Sequence, residues 1–70
     1  MSTVDKSIAD RVIAGEFPED KIIAIVQYDN QFNGAKAYKL IFAHQEHMLT
    51  DIHSISPAMR NCKLYWKKGN

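Results

Sequence analysis

The chain has 70 residues, a hydrophobic fraction of 46% and a formal net charge of +1. That length allows a single domain spanning 1–70, the composition is that of a folded chain, and the near-neutral charge argues against strong nonspecific nucleic-acid binding. No apolar run approaches the ~20 residues of a membrane span, and residues 1–6 are too polar for a signal peptide, so the expected setting is the cytoplasm without a membrane partner.

A domain this short buries only roughly 60% of its unfolded surface and usually needs a disulfide, a metal or a partner subunit. Cys62 is the only cysteine, which excludes an intrachain disulfide and fits a reducing compartment.

Residues 3–14 form an expected amphipathic helix. Val4, Ile8 and Val12 recur at helical spacing, Ala9 and Ile13 widen the stripe, and Asp5, Lys6, Asp10 and Arg11 supply the polar side. Ser2 or Thr3 can cap its start, Asp5 falls in the first turn, and Gly15 followed by Pro18 stops it. Residues 21–29 are short, β-branched and aromatic, which favours a strand over the helix that Pro18, Glu19 and Asp20 would also open. Asn33-Gly34 marks a hairpin, and residues 36–44 alternate as the second strand. Residues 46–56 fit a short helix or an irregular crossing. Ser56-Pro57 opens one helical turn to about Arg60. A third strand, 61–68, puts Cys62, Leu64 and Trp66 on one face and Lys63, Tyr65 and Lys67 on the other. The expected class is α+β, in the order α-β-β-(short helix or loop)-β, with the helix packed on a three-stranded antiparallel sheet.

A tight turn at Asn33-Gly34 would set Tyr28 opposite Lys39 and Val26 opposite Ile41. One face would collect Ile23, Ile25, Tyr38, Leu40 and Phe42; the other, Ile22, Ala24, Val26, Tyr28, Ala37, Ile41 and Ala43. Both are apolar, and one helix covers one face. The second, led by Ile22, Ala24, Val26, Tyr28, Ala37 and Ile41, is therefore the expected interface of a symmetric dimer or higher closed homo-oligomer. The competing arrangement folds 46–58 back over it through Met48, Leu49, Ile52 and Ile55.

Chemistry-bearing residues are sparse. His44, His47 and His53, with Glu46 or Asp51 nearby, match no strong zinc spacing, so no metal or cofactor is expected. Cys62 shares an apolar face and reads as a structural thiol. Gly15, Gly34 and Gly69 are isolated, so no phosphate loop forms, and Glu16, Glu19 and Asp20 read as a solvated loop. The chain is expected to be non-enzymatic. Candidate binding residues are Arg60, Lys63 and Lys67 with Tyr38, Tyr65 and Trp66, because cations take phosphate and rings stack on bases. Lys63 and Lys67 equally suit an edge strand guarded against aggregation. Phe32, at the turn tip, is either a contact residue or tucked beneath the hairpin.

The opening Ser-Thr-Val-Asp-Lys-Ser-Ile-Ala-Asp, the segment Gly15-Glu16-Phe17-Pro18-Glu19-Asp20 and the ending Trp66-Lys67-Lys68-Gly69-Asn70 give the chain a general character. It resembles the short accessory proteins of bacterial viruses and prophages. That resemblance implies a blocking role: an oligomer that caps a bacterial defence protein, or one that sequesters a small anionic, nucleotide-like signal between subunits. A small nucleic-acid-binding protein is the third expectation.

Overall fold

The computed structural model describes residues 3–16, 21–54 and 59–69. Its elements are β1 (Thr3–Val4), α1 (Lys6–Ile13), β2 (Ile22–Asn30), β3 (Lys36–Phe42), a 3-10 segment (Ala43–Ser54) broken at Asp51, and β4 (Met59–Lys67). The strands make one four-stranded antiparallel sheet in the order β1-β3-β2-β4. The class is α+β, as expected. The expected three strands become four because Thr3 and Val4 pair with Lys39 and Tyr38 instead of starting the helix. No helix is long and apolar enough to cross a membrane among the described residues.

The helix starts late because Asp5, not Ser2 or Thr3, is its cap: the Asp5 carboxylate accepts the Ile8 N–H at 2.9 Å. It ends where Gly15 takes φ 79°. There the Gly15 N–H donates to the Val12 carbonyl and the Glu16 N–H to the Arg11 carbonyl, which closes the last turn. Pro18, Ile55 and the Ser56-Pro57 turn lie outside the described residues. Arg60, expected to end that turn, already belongs to β4.

The hairpin is longer than two residues. Asn30 donates to the Ala35 carbonyl at 2.9 Å and accepts from the Gly34 N–H at 2.7 Å, enclosing Gln31, Phe32, Asn33 and Gly34. Tyr28 consequently faces Ala37, and Val26 faces Lys39. The register has moved by an even step from the expected one, so each side chain keeps its face.

Three bulges do change faces, one of them at Asn61, which brings Arg60 to the same face as Lys63. Between Ile22 and Ala24 the pairing with β3 slips, which turns Ile22 to the helix side and Ile23 to the other. In β4, Leu64 pairs with Val26 and Trp66 with Ile25, so Tyr65 is the extra residue. Tyr65 and Trp66 then pack on the same, helix-side cluster, whereas simple alternation put Trp66 with Cys62 and Leu64.

The sheet has two buried faces. Ala9 of the helix closes one over Ile22, Ile25, Tyr38 and Leu40, with Val4, Val12, Phe42, Tyr65 and Trp66 around them. The other holds Ala24, Val26, Tyr28, Ile41 and Cys62, with Ile23, Ala37, Leu49, Ile52 and Met59 packed against it. Of the residues expected at an oligomer interface, Ile22 lies under the helix, and Ala24, Val26, Tyr28, Ala37 and Ile41 lie in this second cluster within one chain. The 3-10 segment covers this face through Leu49 and Ile52, which is the competing arrangement of the two expected from the sequence.

Removing that cover should be costly. Leu49→Ala combined with Ile52→Ala is expected to lower stability by about 2–4 kcal/mol, since both side chains are half-buried over the sheet. Phe32→Ala should change it by less than about 0.5 kcal/mol. Urea-unfolding midpoints of the three chains measure both.

Candidate functional site

The helix-side face changes character towards the hairpin. Along β2, Ile25 is followed on the same face by Gln27 and Asp29, because strand side chains alternate. Gln27 pairs with Tyr38 and Lys63, and Asp29 pairs with Lys36 and Arg60. Directly opposed residues in antiparallel strands share a face, so Lys36, Arg60 and Lys63 rise on this side. All three are exposed.

Asp29 is the anion among them. Its Oδ1 accepts from Lys36 Nζ at 2.7 Å and its Oδ2 from Asn61 Nδ2 at 2.8 Å. Asn61 reaches it because β4 bulges there, with Asn61 at φ 55°. The Lys36 and Asn61 bonds, helped by the nearby Lys63 charge, hold the Asp29 carboxyl below its ordinary value. Three cations against one carboxylate leave this end of the face with two net positive charges.

A second polar knot joins helix to sheet. The Tyr65 hydroxyl donates to Asp10 Oδ1 at 2.7 Å, and Lys6 Nζ donates to Asp10 Oδ2 at 2.8 Å. These two bonds, with Lys6 the larger influence, hold the Asp10 carboxyl low. The Asp10 bond in turn raises the Tyr65 hydroxyl, and Lys6 is raised by the same carboxylate. Tyr38 and Tyr65 meet edge to face, ring centroids 4.8 Å apart, and Gln27 Nε2 donates to the Tyr38 hydroxyl at 3.0 Å.

Tyr38, Arg60, Lys63, Tyr65 and Trp66 are thus brought to one face, but not as a stacking platform. Tyr38 is 3% exposed. Tyr65 spends its hydroxyl on Asp10, and Trp66 is half-buried in the helix-side core. The cations are presented; the rings are packed. Lys67 pairs with Ala24 and belongs to the opposite face. Phe32 stands at the hairpin tip, 82% exposed, and is not tucked beneath it.

Other sequence candidates fall elsewhere. His44 lies against the Phe42 ring at a centroid distance of 6.1 Å, and His47 is exposed. Among the described residues no three His, Cys, Asp or Glu side chains gather as a metal set. Cys62 is buried, its thiol donates weakly to the Met59 carbonyl at 3.5 Å, and burial pushes its pKa up, opposite to an activated nucleophile.

Lys36, Asp29, Asn61, Gln27 and Asp10 were not among the sequence candidates. Asp29 and Lys36 become visible once the hairpin loop is given its true length, since the tight-turn register sets Asp29 against Tyr38. Asp10 and Tyr65 are 55 residues apart and carry no local signal of their pairing.

No family model matches the chain, and no curated protein or solved structure is significantly similar to it.

Acid should weaken the molecule through its two tied carboxylates. Both are held below the ordinary 3.8 in the folded chain, so their stabilisation is complete above 3.8 and is lost as pH falls through the lower folded values. Asp10→Asn with Asp29→Asn is expected to flatten the fall in urea midpoint below that pH. An acid limb as steep as that of the unchanged chain would count against both ties.

Proposed function

We infer that the chain is a non-enzymatic binding module that occupies, and so blocks, an acidic surface of a partner protein. The observation that carries the reading is the basic end of the helix-side face: Lys36, Arg60 and Lys63 exposed around a single carboxylate that is already doubly bonded. A net positive area of this kind steers an acidic partner and selects against basic ones. The β4 strand, Met59–Lys67, contributes Arg60, Asn61 and Lys63 to that end and contains no acid.

A protein surface is favoured over a nucleotide because the tyrosine rings that share the basic face are packed and offer no free face for stacking. Tyr38 is buried, and Tyr65 is committed to Tyr38 and Asp10. With those rings packed, the sheet face itself recognises charge, not bases. A second copy is the weaker choice of partner: the apolar face that argued for one is covered within the chain.

The test is matched affinity enrichment from cells with three baits: the unchanged chain, Arg60→Glu with Lys63→Glu, and Lys67→Glu. The double charge reversal is expected to reduce partner recovery at least tenfold while keeping the unfolding midpoint, whereas Lys67→Glu, on the opposite face, retains it. Recovery should also fall with added salt. Equal recovery by all three baits would remove the basic face from the function.

A further inference from the structure

The Phe32 ring is presented to solvent at the hairpin tip. At 82% exposed, against 46% for Leu64 and 37% for Ile13, it is the most exposed large hydrophobic side chain among the described residues. The loop that carries it is nevertheless tightly bonded. Asn30 Oδ1 accepts the Phe32 N–H at 2.8 Å, and Asn33 Oδ1 accepts the Ala35 N–H at 2.9 Å. The Asn30 carbonyl holds the Gly34 N–H at 2.7 Å, and Gly34 takes the φ of 70° that the turn needs. A ring presented on an already ordered loop loses little backbone freedom on docking.

Its position ties it to the basic end of the sheet. Asn30 pairs with Met59, and the residue before it, Asp29, pairs with Lys36 and Arg60. The ring therefore stands at the same end of the sheet as the exposed cations. We propose that Phe32 is the anchor of the interface, entering an apolar pocket of the partner protein whose rim carries carboxylates that meet Lys36 and Arg60. This rests on the partner-protein reading above. An exposed aromatic beside cations is the kind of anchor through which a few residues carry most of a protein–protein affinity. An anionic bilayer would accept the same chemistry, but one ring and two net charges are a weaker signal than stable membrane attachment requires. A pocket supplies shape as well as charge.

The experiment places a benzophenone amino acid at position 32 of the full chain, with the same group at 63 and 67 for comparison, and maps crosslinked peptides by mass spectrometry. Position 32 is expected to capture the same protein as position 63, in a peptide bordered by Asp or Glu; capture should vanish with Arg60→Glu, and position 67 should not reproduce it. Against that protein, purified, Phe32→Ala is expected to weaken binding about thirtyfold, while Phe32→Trp retains it. Capture from 63 but none from 32, or unchanged affinity of Phe32→Ala alongside loss by Arg60→Glu with Lys63→Glu, overturns the anchor and leaves the basic-face reading standing. If neither variant changes affinity, both fall. Sedimentation with vesicles of equal phosphatidylserine and phosphatidylcholine, lost on Phe32→Ala, would make the occupant a lipid surface and also overturn the proposal.

Discussion

The central strand β2 imposes the demand that the rest of the molecule meets. Its Ala24, Ile25 and Val26 are all 0% exposed, and consecutive strand residues point to opposite faces. A strand buried on both sides needs cover on both sides. Flanking strands β3 and β4 satisfy its edges, the helix takes the Ile25 side, and the 3-10 segment takes the Ala24 and Val26 side. In a chain of 70 residues, little is left over for anything except this cover. That explains why the half-irregular stretch after β3 cannot be a free loop. Leu49 and Ile52 are its contribution to stability, and its broken helical geometry at Asp51 is compatible with a task that needs apolar contact more than regular hydrogen bonding.

Much of this was readable from residue order. Periodicity gave α1, β-branched content gave β2, and alternation gave β3. The two-faced apolar pattern was equally plain. What it meant was ambiguous, because a partner subunit and a returning segment bury the same area, and only the path of the chain decides between them. The hairpin shows a gentler kind of error. Asn33-Gly34 marks the turn, but the two Asx side chains, Asn30 and Asn33, stabilise a longer loop. The register slipped by an even step, so the faces survived the mistake.

Bulges are where reading failed, for a physical reason. A bulge adds one residue to one strand and reverses the alternation beyond it, and no composition rule announces it. Ile22 and Ile23 exchange faces this way, and Trp66 leaves the side of Cys62 to join Tyr65. The candidate site was legible to the same limited degree. Arg60, Lys63, Tyr38 and Tyr65 do share a face, but the rings that suggested base stacking are consumed by packing. Burial of Tyr38 and the bond from Tyr65 to Asp10 leave charge as what this face of the sheet presents.

The same bulges bear on how recognition can occur. β4 pairs only with β2 among the described strands, so its other side is an open edge, the usual place for another strand to add. Two irregularities interrupt it, one at Asn61 and one at Tyr65, leaving only short straight runs between them. Its cations also oppose self-pairing: with no acid in Met59–Lys67, antiparallel β4 partners can form no attractive charge pair, and some registers set Lys63 against itself or Arg60 against Lys67. Backbone pairing is thus guarded against by the features that make the neighbouring face basic. The binding proposed at this end would therefore run through side chains, with its strength set by the partner's carboxylates and by one aromatic ring. Such contact would be selective by charge and sensitive to ionic strength, on a surface built over the buried β2 strand.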